Sequence, residues 1–151
     1  MRRGALRDTP LARSWPLFEQ TQQFDLGYVL SSVVTDILDP SEVGGLGVHH
    51  AGCWECDLAD NSLTWSGGVY DLFGLPRGAA VTRDEAVSFY SEESRASMER
   101  LRLHAIRYRR GFTLDVAIRP ATGGERKVRL ITAPVCEENR VVRLHGLKML
   151  V

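Results

Sequence analysis

Three cysteines and four histidines are the residues of this 151-residue chain whose types suit metal binding or nucleophilic attack. Cys53 and Cys56 form a C-x-x-C, the spacing of half a zinc site or of a redox pair, while Cys136 stands alone. The run around them, Trp54-Glu55-Cys56-Asp57-Leu58, alternates larger, less polar side chains with acids at a period of two, which predicts a half-buried strand. Residues three apart on a strand point to opposite faces, so the two thiols diverge, and no second C-x-x-C completes a zinc set. His49 and His50 precede that strand, His104 falls in a helical pattern and His145 in a terminal strand pattern. No two histidines share helical ligand spacing, so no metal site is expected. The chain also lacks a glycine-rich phosphate loop, a nucleophile elbow and a suggestive histidine–carboxylate pair. The expectation is a protein that is not an enzyme.

Composition narrows the class further. Nineteen basic and nineteen acidic residues cancel, so no global positive field favours nucleic acid. No apolar run is long enough to span a bilayer, and Met1-Arg2-Arg3 has no apolar signal core behind it, so a cytoplasmic location is expected. The length suits one domain with a real core.

The elements that must position any site follow from periodicity. Residues 1–20, rich in arginine and proline without sustained period, are expected to be a mobile arm. Residues 21–48 are expected to hold an amphipathic helix, with Phe24, Val33 and Ile37 on its apolar stripe, ending at Asp39-Pro40 before a glycine-rich connection. Residues 49–151 form the predicted domain. It opens with a hairpin turning at Asp60-Asn61, followed by a short helix that Ser66 caps and Gly74 ends. Thr82 and Glu85 make a capping box, and a longer helix from Ser91 to Gly111 carries Met98, Leu101, Ala105 and Tyr108 on its core face. Three strands complete the chain, turning at Thr122-Gly123-Gly124 and at Glu137-Glu138-Asn139.

Trp54, Glu55, Asp57, Leu58, Leu63, Trp65, Ser66 and Tyr70, followed by Leu72-Phe73-Gly74-Leu75-Pro76, resemble in order the opening of a PAS domain of the PAS_3 type. Gly124, Arg126, Val128, Arg129, Pro134, Val135 and the run from Arg140 to Gly146 resemble its closing strands. The match departs at Cys56 and Lys127, where tryptophan is usual, and at Gly67-Gly68, where helix formers are usual. The resemblance spans about residues 50 to 150. It implies an α+β fold with a five-stranded antiparallel sheet and short helices on one face.

The resemblance implies an intracellular signalling module; with no room for an output domain after the last strand, it is expected to act in trans by docking on a histidine kinase, cyclase or regulator. The alternative is a small-ligand or haem sensor, as a fragment of a larger kinase or cyclase. Cavity candidates are Trp54, Trp65, Tyr70, Phe73, Met98 and His104, the last being the residue a haem reading would need, though arginines flank it. No cofactor is expected otherwise. A flavin photosensor would need a reactive cysteine after the first short helix, and none lies between Cys56 and Cys136. Residues of both parities in the last strands are apolar, which predicts a second apolar sheet face. Ile131, Leu147 and Met149, covered by Phe24, Val33 and Ile37 in their own chain or across a homodimer, are the expected interaction surface.

Overall fold

The computed structural model describes residues 13–15 and 50–151. The expected helix with Phe24, Val33 and Ile37 lies outside the described residues. The domain begins with strand β2 (Ala51–Asp57) and β3 (Ser62–Trp65), paired as a hairpin with Trp54 opposite Trp65. Asn61, at φ 60°, takes the left-handed turn conformation that its side chain tolerates. Helices α1 (Gly67–Phe73), α2 (Arg83–Ser88) and α3 (Glu92–Tyr108) follow, and then strands β4 (Gly111–Ile118), β5 (Arg126–Glu137) and β6 (Arg140–Leu150).

The five expected strands form one antiparallel sheet, and a sixth joins it. Strand β1 (Arg13–Trp15) pairs with the edge of β4, giving the order β1-β4-β5-β6-β2-β3. Residues 13–15 therefore depart from the expected mobile arm: β4 would otherwise present a row of unpaired backbone groups, and three residues are too few to show a strand period.

The helices cover one face of the sheet. Val69, Leu72 and Phe73 of α1 pack with Met98, Leu101 and Ala105 of α3 on Leu114, Val116, Val128, Leu130 and Leu144. Trp54 and Trp65 are only partly buried against this core rather than fully inside it. Tyr108, expected on the core face, is 52% exposed, because the helix ends there and its ring turns to His104 at 4.8 Å.

Local chemistry sets the element boundaries. Thr82 Oγ1 accepts from the Glu85 amide while Glu85 accepts from the Thr82 amide, the expected reciprocal cap. Ser66 occupies the N-cap position of α1, but its hydroxyl does not cap; it accepts from the Cys53 amide at 2.9 Å and ties β2 to the helix. Gly68 permits that closeness, since a Cβ there would sit 1.8 Å from the Ala51 carbonyl oxygen. The end of α3 differs from expectation too. Arg109 (φ 56°), not Gly111, takes the left-handed cap conformation, and its guanidinium donates to the Asn139 carbonyl at 3.1 Å.

Candidate ligand cavity

Strand alternation on β6 decides what faces the helices. Leu144, Gly146 and Lys148 stand opposite Pro134, Thr132 and Leu130, while His145, Leu147 and Met149 stand on the other face. A lysine is thereby turned into the core. Lys148 is 8% exposed. Its Nζ donates to Tyr90 Oη at 2.9 Å. It also lies 4.9 Å from the Trp54 ring centre, 5.6 Å from that of Tyr90 and 5.7 Å from that of Phe73. Three aromatic rings thus surround one ammonium, an arrangement that attracts a cation through the negative ring faces. Tyr90 is held there by a β-bridge to Ile118 just after α2.

The lysine opens onto a cavity of about 60 Å³. Its walls combine Trp54, Trp65, Met98, Leu130 and Thr132 with Arg83, Arg102 and Lys148. None of the lining residues is an aspartate or glutamate. Arg83 is ion-paired to Glu99, and Arg102 donates to the Asn61 side chain at 3.1 Å. Lys148 makes no ion pair among the described residues. The indole Nε1 of Trp54 is buried without a hydrogen-bond partner among the described residues. Buried donors without acceptors cost free energy, and an unpaired buried ammonium costs most.

The structure brings some of the expected cavity residues together and not others. Trp54, Trp65 and Met98 line the cavity. Phe73 contributes its ring face to Lys148 and stacks on Trp65 at 5.0 Å. Tyr70 lines an adjoining groove, which shares Leu63, Trp65 and Arg83 with the cavity, and its hydroxyl donates to the Ala79 carbonyl at 2.9 Å. His104 is not among the lining residues; it packs on Tyr108 one helical turn away. Haem does not fit this site, for the cavity is far below the roughly 300 Å³ of ordinary ligand pockets and holds no histidine.

Cys56 faces the cavity, and Cys53 pairs with Leu147 on the other side of the sheet. Burial pushes the Cys56 thiol up, with Arg102 opposing, so it sits as a neutral thiol rather than a nucleophile. Lys148 is the residue that sequence reasoning overlooked. Its parity with Leu144, an inward residue of the same strand, was the available signal.

This frame is the PAS fold. An N-terminal domain of a diguanylate cyclase with a PAS/PAC sensor from Marinobacter aquaeolei aligns with a TM-score of 0.61 at 14% identity, over 66% of this chain and 94% of that one. A sensory box histidine kinase/response regulator from Burkholderia thailandensis aligns with a TM-score of 0.58 at 17% identity, over 72% and 80%. An RNA-binding light-oxygen-voltage receptor aligns with a TM-score of 0.59 at 14% identity, over 66% of this chain but only 29% of the receptor. No protein-family model and no curated protein sequence matches the chain. No helix among the described residues is long and apolar enough to cross a membrane.

Proposed function

We propose that the chain is a regulatory, non-catalytic signalling module that senses a small ligand in the cavity beneath β6. The observation that carries this reading is the buried Lys148, which has aromatic walls and an adjoining void but, among the described residues, no acidic partner. Structural cores rarely retain an unpaired ammonium, and a cavity with convergent polar groups is the usual form of a binding site. The PAS-fold neighbours, found in a cyclase and a kinase, support a signalling role of this kind. Mass spectrometry of the purified full chain, native and then denatured, tests the reading. The expected result is a small molecule that leaves on denaturation, or one that shifts the melting temperature when supplied. A chain that carries nothing, and whose melting no small molecule moves, refutes it.

A second reading is favoured by the opposite sheet face. Ile131 stands opposite Leu147, with Met149 two residues further along β6, on the side away from the helices; Leu147 is buried, and the Arg129–Asp115 ion pair borders the partly exposed Ile131 and Met149. In this reading the module docks in trans on a cytoplasmic kinase, cyclase or regulator, or pairs as a two-fold homodimer, through that face. Sedimentation of the wild-type chain beside Ile131→Asp and Met149→Asp variants tests it. A change of assembly state supports the docking face, and an unchanged monomer removes the homodimer.

A further inference from the structure

We propose that the cavity ligand is a small organic carboxylate, with its head on Lys148, Tyr90 and Trp54 and its apolar part against Met98, Val87 and Leu130. This rests on the sensing role proposed above and names the ligand class.

The charge inventory gives the first argument. Three cations line the cavity and no acid does. Glu99 answers Arg83 and Asn61 answers Arg102, whereas among the described residues the ammonium of Lys148 has only the neutral hydroxyl of Tyr90 as a hydrogen-bond acceptor. An ammonium has three donors, so two remain for a ligand. The half-buried guanidinium of Arg102 and that of Arg83 add a positive field that draws an anion inward.

Hydrogen-bond inventory gives the second. The indole N–H of Trp54 is a buried donor lacking an acceptor, and Trp54 lines the same cavity. A ligand that brings acceptors only, as a carboxylate does, satisfies this site; an amine or an alcohol adds donors where none are wanted.

The remaining walls exclude a bare inorganic anion. Val87, Met98, Phe112, Leu130 and Leu144 are apolar and buried, so the anion must carry carbon to fill the void. About 60 Å³, well below the roughly 150 Å³ that admits a benzene ring, restricts that carbon to a short chain.

The test is a titration of the 151-residue chain with acetate and butyrate, followed by tryptophan fluorescence and by melting temperature. Acetamide, butyramide and inorganic phosphate serve as comparisons. Saturable binding of a carboxylate is expected, with its neutral amide and phosphate weaker by about tenfold or more. Lys148→Met should lose the carboxylate by a similar factor, and Tyr90→Phe by less. If Lys148→Met does not fold, the Cε–H resonance of Lys148 in wild-type protein provides the same information, and it should shift on adding butyrate. An amide that binds as well as its acid overturns the carboxylate while leaving a sensor in place. So does phosphate that binds as well as butyrate. If nothing binds and nothing co-purifies, the sensing role itself falls.

Discussion

Strand β6 has two faces, and each buries an ionisable side chain in a different way. Outward, His145 stands opposite Glu55 of β2 and Ala133 of β5, next to Arg143, which is itself 3.6 Å from the Glu55 carboxylate. Inward, Lys148 stands among aromatic rings with no carboxylate partner among the described residues. Histidine reaches its neutral form close to physiological pH, so burial on the outer face is met by losing a proton. The buried ammonium of Lys148 instead depends on partners supplied by its environment. The outer site is complete within the chain. The inner site supplies donors and leaves the acceptors to something else.

The largest expected effect falls on the inner face. Phe73 is fully buried, stacks on Trp65 and carries one wall of the lysine site. Phe73→Ala should cost about 3–5 kcal/mol, read from the urea midpoint. A loss of less than about 1 kcal/mol would mean that this core collapses onto the void. Gly68→Ala comes next. The added methyl meets the Ala51 carbonyl, backbone that cannot swing aside, so α1 must lift off β2 at a cost of about 1–3 kcal/mol. An unchanged melting curve would refute the close approach of helix and strand.

Lys148→Met sharpens the comparison directly. Replacing a buried charge with an apolar side chain of similar volume is often neutral or stabilising by about 1–4 kcal/mol. The ligand-free variant should therefore melt at or above the wild-type temperature. A large drop would mean that the aromatic rings already compensate the ammonium without ligand, so that Lys148 also carries part of the core, and the ligand question then rests on its Cε–H resonance in the wild type.

How much of this was legible depended on whether a feature was local. The capping box at Thr82 and Glu85, the turn at Asn61 and the left-handed Gly74 are decided within four residues, and the structure has each of them. The ordered run from Trp54 to Pro76 sufficed for the fold, even though Cys56, Gly67 and Gly68 depart from the usual pattern. Gly68 departs for a reason that lies outside its own helix, in the Ala51 carbonyl. The site depends on non-local register. Lys148 reads as a solvated lysine until Leu144 is known to face inward, and Gly146 between them hides the alternation. A bulge between Val135 and Cys136 further shifts the pairing of β5 with β6. His104 fails for a similar reason. Met98, Leu101 and Ala105 define the buried face of α3, and His104 turns away from it toward Tyr108. Strand β1 depended on an open edge of β4 that no local pattern reveals.

The smallest effect concerns the outer face and is read as a pH profile. Burial pulls the pKa of His145 below its ordinary 6.5; Glu55 works against the shift and Arg143 adds to it. The folded state therefore binds a proton less readily than the unfolded chain does. As pH falls through about 6.5, the unfolded state takes up that proton first, so stability declines. The contribution is complete above that value and is lost progressively below it, toward the lower folded pKa. Asp71 has the opposite kind of shift in charge terms but the same direction of loss. Its carboxyl is held down first by the hydrogen bond from Arg77, and its contribution is present above about 3.8 and lost only at more acid pH. The two windows do not overlap near pH 6. Urea midpoints measured from pH 7.5 down to 5 should fall in the wild type below about 6.5, and this component of the slope should vanish in His145→Gln. A variant that keeps the full wild-type slope would place the titration on another residue. The outer face of β6 would then lose its half of the contrast with Lys148.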